Sequence, residues 1–456
     1  MNPRRRPVPT GPRLDEGLAD SRTGALVGED PAADQLPSGG RGGGGEHHRI
    51  PECLIAALVI LLGTVNMWKV QSIQSRVPID LTTLSVVLGT AVTAAALIRR
   101  RLRLPEGTPT LLFGFALFGP ALLGTSFANP YSLLKAQAVF SLCLLAAAAP
   151  MILIDTRQRR IALVATATAL GLLVAVWLLV AGTPTADTIG RVQIDQGNPI
   201  ALGRAAALGL VPLALRTLGT RGPSRWLSAF GAAVCGAGAA ATGSRGPLAA
   251  AIAAIALCTL LSRRSGSRLP RAAGLIVLAL ASWQVAVSVT PLSALDRLGG
   301  ATGGVTDRFR VRLLAESLDT AMDHPGGVGW GDLGDYLSSS ARADLQGWVQ
   351  HPHNILVEVL VEGGLLALAG LAILLVESFR KLRSIAADLD GEAMLGLWLF
   401  AVGSALTSGD ILANRMVWMM IGLGLAVAGV PHRAGAPSSM RAQPAPDSSV
   451  RPPHWA

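Results

Sequence analysis

The residues best suited to chemistry in this 456-residue chain lie in HPHNILVEVLVEGG, residues 351–364. His353 and Asn354 open an apolar run, and Gly364 follows eleven positions after the histidine. Imidazole is the side chain whose ordinary proton affinity lies nearest neutrality, so it takes a proton from a hydroxyl without further tuning. A helix regular from His353 onward would turn about three times in that distance and place His353 and Gly364 on one stripe. The imidazole would then sit at a membrane boundary, and the glycine would admit a neighbouring helix or a lipid chain below it. A plain helix-capping histidine is the competing reading. Glu358 and Glu362, spaced i and i+4, fall on the same helix but off that stripe. Carboxylates at such depth need counter-charges, and Arg204 and Lys135 are the candidates.

Two arginines complete the set. Arg191 lies in IGRVQIDQGNPI and Arg245 in TGSRG, each in an expected outer loop. A guanidinium offers a planar fork of donors matched to phosphate oxygens, so two of them could hold a diphosphate without a metal. Snorkelling to lipid headgroups is the alternative for either one alone. His351 and His353 with His324 suggest zinc only weakly, because a proline separates the first two and no carboxylate pattern completes the ligand set. Asp388, Leu389 and Asp390 look like the acidic metal motif of nucleotide-sugar transferases, yet they fall in a loop on the opposite side. Neither a GxxxxGK[ST] phosphate loop nor a GxSxG elbow is present, which leaves ATP-driven and serine-hydrolase chemistry unsupported.

What must position these residues is set by composition. Half of the residues are apolar and 15% are charged, and the mean hydropathy is +0.47. That combination excludes a large soluble catalytic domain and predicts an all-α, polytopic membrane protein of about twelve spans. The spans are expected from near Cys53 and near 81–98, 109–127, 134–154, 161–182, 200–215, 226–243, 246–261, 272–290, 353–376, 393–407 and 414–430. Residues 1–50 and 432–456 read as disordered cytosolic tails around a transmembrane domain at 51–431. The net charge of +10 does not point to nucleic acid, because the arginines cluster between apolar runs. Clusters at 99–103, 157–160, 216–225, 263–271 and 380–383 mark the cytosolic side and place both termini there. Lys69, Arg76, Lys135, Arg191, Arg204, Arg245, Arg297, Arg308, Arg310, Arg312, Arg342 and Arg415 are the cations left on the other side, where a reason is needed to keep them. The outer loop 291–352 carries RFRVRLLAESLDTAM, in which Phe309, Leu313, Leu314, Leu318, Ala321 and Met322 recur at the spacing of an interfacial amphipathic helix. Cys53, Cys143, Cys235 and Cys258 lack any CxxC spacing and read as packing residues.

Four segments in order, GRVQIDQGNP, TGSRGPLAA, HPGGVGWGDL and HPHNILVEVLVEGGLLALAG, resemble the signature blocks of the O-antigen ligase and polymerase superfamily of bacterial membrane proteins. The resemblance spans roughly residues 185–430 and includes NRMVWMMIGL before the last span. Its most specific piece, histidine, asparagine, nine residues and glycine, is met by His353, Asn354 and Gly364. The family's frequent second glycine is Ala367 here. The resemblance implies a GT-C type helical fold and a metal-independent glycosyltransferase of the cell envelope with no cofactor. Such an enzyme takes a glycan from a polyprenyl-diphosphate (undecaprenyl diphosphate) donor at the extracytoplasmic face of the cell membrane. By position, Arg191 and Arg245 would hold the diphosphate and His353 would orient or activate the acceptor hydroxyl, with Asn354, Gly364, Glu358 and Arg204 in support. Both a polymerase, with a second lipid-linked repeat as acceptor, and a ligase, with a lipid, protein or wall polymer as acceptor, fit. Transport of a small anionic or sugar solute is the other reading. It predicts a charged route running inward from Glu358 and Glu362, where the spans read as apolar.

Overall fold

The structure, a computed structural model, describes residues 51–77, 79–184, 191–195, 197–261, 274, 305–344 and 351–427. Both expected tails, most of the span expected at 272–290, and loop residues 291–304 and 345–350 lie outside the described residues. Described helices overlap eleven of the twelve expected positions. These are α1 (Glu52–Thr64), α2 (Leu81–Arg99), α3 (Thr108–Ala116), α4 (Pro130–Leu153), α5 (Arg157–Ala181), α6 (Pro199–Gly219), α7 (Pro223–Ala241) and α8 (Arg245–Leu261). After α9 (Val305–Asp323), in the loop expected to lie outside, come α10 (Ile355–Ile385), α11 (Leu389–Ala405) and α12 (Arg415–Ala426). The strand content among the described residues is one short antiparallel ribbon, β1 (Thr183–Pro184) with β2 (Val192–Gln193).

The starts of the helices follow from local chemistry. Asp80, Asn129, Thr156, Asn198, Asn354 and Asp388 each accept a first-turn backbone N–H with their side chain. Each cap supplies an acceptor for a donor that the helix itself leaves unmatched. The span expected at 109–127 is broken instead, because Pro120 lacks an N–H and opens a separate 3-10 turn at Gly119–Leu123. α2, α4, α5, α6 and α10 are long and apolar enough to cross a membrane. Val180 (81% exposed), Leu123 (94%) and Phe230 (70%) project outward from the bundle. Such surfaces suit lipid and would be costly in water.

Small residues bring α5, α6 and α7 together. A Cβ on Gly238 would lie 2.7 Å from the Ala175 Cα, and one on Gly209 would lie 2.7 Å from the Cys235 sulfur. Where lipid offers no hydrophobic push, such close backbone approach supplies much of the attraction between helices. Cys143, Cys235 and Cys258 are buried free thiols, while Cys53 is exposed.

Alternating helix directions sort the charges into two ends of the bundle. At one end Arg100 pairs with Asp155 at 2.5 Å, Arg159 with Glu52 at 2.7 Å and Arg157 with Asp388 at 3.3 Å. This arginine end joins the clusters that sequence assigned to one side. At the other, the histidine end, α6, α8, α10 and α12 begin, and α5, α7 and α11 finish. Arg204 in the first turns of α6 donates to the carbonyls of Ser404 and Ser408 at 3.1 and 2.6 Å. A Cβ on Gly246, next to Arg245, would lie 2.8 Å from the Thr407 hydroxyl oxygen.

Candidate active site

α10 is not regular. Gly364 has φ 74° and ψ −176°, so the helix stops and restarts there. The glycine-rich segment 324–331 fills the break: Val328 and Gly329 donate to the carbonyls of Val361 and Glu362 at 2.9 and 3.0 Å, and Leu365 donates to Pro325 at 2.9 Å. Backbone groups released by the break are thus matched by a loop rather than left bare at membrane depth. The expected stripe from His353 to Gly364 is therefore corrected on two counts. His353 precedes the helix, with φ 57°, and the close neighbour of Gly364 is this loop, not another helix or a lipid chain. Asn354 has a structural task, accepting from Leu356 and Val357 at 3.0 and 3.3 Å.

Lys135 is the counter-charge of both glutamates. Its Nζ lies 2.7 Å from an oxygen of Glu358 and 2.7 Å from an oxygen of Glu362, and all three side chains are sealed from solvent. The remaining oxygens accept backbone donors, Ile411 N–H on Glu358 at 2.9 Å and Gly331 N–H on Glu362 at 3.0 Å. Arg204 does not meet these carboxylates. It is buried and binds the end of α11, whose unmatched carbonyls attract a guanidinium. From Gly363 to Val376, α10 carries no charged residue toward the arginine end.

His353 sits just above this cluster in sequence, at the rim of the histidine end. Its ring packs edge-to-face on that of His351, with centroids 4.6 Å apart. Burial, followed by the charge of His351 and then of Arg310, pulls the His353 imidazole down to about 3. Burial likewise pulls His351 down to about 4, opposed in part by Asp410. Both rings are thus neutral at pH 7. Arg310 on α9 is the cation that acts on both, and its buried Nε has no hydrogen-bond partner among the described residues.

Arg310 is the site residue that sequence reasoning left among the unassigned outer cations. α9 packs against α10 and the 328–341 segment through Leu313, Ala321, Val328, Leu333 and Val361. Leu318 and Met322, expected on that same stripe, are instead exposed at 41% and 82%. The helix therefore has two apolar faces. Arg310 stands at helical spacing from Leu313, Ser317 and Ala321, on the buried one.

Arg191 precedes β2, beside the end of α5, and Arg245 opens α8. Both lie at the histidine end, and the turn bearing Arg245 touches Thr407, three residues from Asp410. Asp388, by contrast, caps α11 at the arginine end by accepting from Gly391 at 2.8 Å. His324 packs on Tyr336, with centroids 4.9 Å apart.

Residues 230–372 match the family model described as O-antigen ligase. The match takes in Arg245, Arg310, His353, Asn354, Glu358, Glu362 and Gly364, and stops short of Lys135 and Arg191. No curated protein and no solved structure matches the chain.

Proposed function

We propose that this member of the O-antigen ligase and polymerase superfamily moves a glycan from a polyprenyl-diphosphate donor to an acceptor hydroxyl at its histidine end. The observation that carries the reading is the His353 imidazole, packed on His351 just ahead of α10 at the end of the bundle where Arg191, Arg245 and Arg310 also lie, with Arg310 near enough to act on its ring. The histidine end is assigned to the extracytoplasmic face, because the opposite end collects the arginine clusters that favour the cytosol. The same assignment puts both termini on the cytosolic side, and a count of about twelve spans belongs to the same reading.

The reaction needs little beyond these groups. The acceptor hydroxyl donates to His353, its oxygen attacks the anomeric carbon, and the bond from that carbon to the diphosphate oxygen breaks. His353 takes the hydroxyl proton. Arg310, joined by Arg245 and Arg191, receives the charge that develops on the departing diphosphate, each such donor contributing about 3 kcal/mol. Attack in line with the leaving group inverts the anomeric centre. No metal is called on in this scheme.

The low proton affinity of His353 has a part in it. In the protein alone such an imidazole is a poor base. A diphosphate held by Arg310 brings negative charge beside the ring, offsets the guanidinium and raises the ring's affinity for a proton. The donor thereby prepares its own base. Because His353 must be neutral to work, activity falls as pH drops through its proton affinity, and that fall should come at lower pH in kcat/KM than in kcat, since the first reports the free protein and the second the loaded one. Coincident acid limbs in the two pH profiles would remove the donor-tuned base.

The donor site is tested by substitutions that keep charge but lose the fork. Arg310→Lys, Arg191→Lys and Arg245→Lys should each raise the donor KM about tenfold, the scale of one charge-assisted hydrogen bond. Unchanged donor KM in all three lysine variants, measured with a purified lipid-linked glycan, would refute diphosphate binding at this end.

A further inference from the structure

The buried cation and its two carboxylates have no step in the reaction above, yet they join more of the site than any other group. Lys135 comes from α4, and Glu358 and Glu362 come from the first half of α10. Through its second oxygen Glu358 holds Ile411, next to Asp410. Through its second oxygen Glu362 holds Gly331, in the loop that continues from α9 and fills the break in α10. Asp332, the next residue, ties the same loop back to α4 by accepting from the Ser132 hydroxyl and the Ser126 N–H, both at 2.6 Å. One knot therefore fixes the turn bearing Asp410, the loop following the Arg310 helix, and the helix that His353 opens.

Stability alone is a weak reason to keep such a group. Three charges taken fully out of water carry a desolvation cost that their attraction scarcely recovers, and packed apolar residues commonly do as well or better. What fixed charges supply, and apolar contacts do not, is a single register: three of the four oxygens here accept one donor each, and the fourth, on Glu358, is held by the Lys135 charge at 2.7 Å. Asp410 acts on both imidazoles and on Lys135, so a shift of its turn changes the field at His353 directly.

We infer that Lys135, Glu358 and Glu362 form a positioning clamp that sets the register of the Asp410 turn and the 324–331 loop against α10, and through it the rate of transfer. The inference rests on the glycan-transfer reading for its kinetic part only. Without Lys135, two carboxylates face each other and the two loops lose their common anchor. Catalysis suffers before binding does, because the donor is held by arginines outside the clamp.

The test uses the full-length protein in detergent or nanodiscs. Lys135→Met should lower kcat tenfold or more, with the donor KM within twofold of the parent. Lys135→Arg, which restores a cation, should recover most of the loss. Hydrogen–deuterium exchange gives a readout free of any activity: Lys135→Met should speed exchange at 404–414 and 324–331 and leave the arginine end unchanged. Should Lys135→Met not be recovered folded, Glu362→Gln, which keeps an oxygen for Gly331, carries the same measurements. Parental exchange in both loops overturns the clamp, as does a kcat equal to the parent's in Lys135→Met or, in its place, Glu362→Gln. Faster exchange with no transfer activity in the parent protein would instead overturn the glycan-transfer reading and leave the clamp standing.

Discussion

Replacing His353 with glycine should leave the protein folded while cutting glycan transfer by about a hundredfold or more, the usual contribution of a positioned base. Glycine separates activity from stability better than alanine at this position. With φ 57°, His353 occupies the left-handed region, which costs an L-residue on the order of 1 kcal/mol and costs glycine nothing. The cap of α10 comes from the Asn354 side chain, so His353→Gly leaves it in place. Unfolding temperature should therefore hold or rise slightly as kcat collapses. Alanine would remove the same base but keep the strain, and His353→Ala is expected to be equally inactive and a little less stable. A glycine variant with parental kcat would strip His353 of its role, and no loss of fold would be there to blame.

That separation rests on what sequence could and could not show around α10. His353, Asn354, Glu358 and Glu362 are legible because they lie within ten residues of one another on one element, where spacing alone fixes their relation. Lys135 was legible as a counter-charge because few cations remain on the histidine side once the arginine clusters are assigned. The choice between Lys135 and Arg204 was not, since it depends on which helix end each one faces. Arg204 is drawn to the carbonyls that close α11, a demand that only the packed bundle creates.

Arg310 was obscured by its neighbours. Arg308, Arg310 and Arg312 alternate along one helix, and the apolar residues around them carry the visible periodicity. The sign was present: a cation at the spacing of Leu313, Ser317 and Ala321 stands on the face that is buried. Arg312, on the flank, pairs with Glu316 at 3.0 Å and is ordinary by comparison. The break in α10 had one local sign, the Gly363–Gly364 pair inside an apolar helical run, but nothing in that run shows what fills it, which arrives from the segment that follows α9.

That break makes a single methyl group costly. Gly364→Ala should cost more than about 3 kcal/mol, from two sources that act together. The left-handed φ of 74° penalises any side chain. The new Cβ would also fall on the backbone carbonyl of Gly326, far inside van der Waals contact with its carbon and oxygen. Neither neighbour is a side chain that could swing away. The loop must leave, and with it go the bonds to Val361, Glu362 and Leu365. Gly331 then loses its place beneath Glu362, so one end of the buried charge knot opens too. A control lies in the same contact: a Cβ on Gly326 meets nothing within 4 Å, and Gly326→Ala should change stability by less than about 0.5 kcal/mol. Thermal unfolding and folded yield of the two variants, side by side, decide the matter. If Gly364→Ala melts with the parent, α10 runs straight through residue 364, and the loop that follows the Arg310 helix is docked somewhere else.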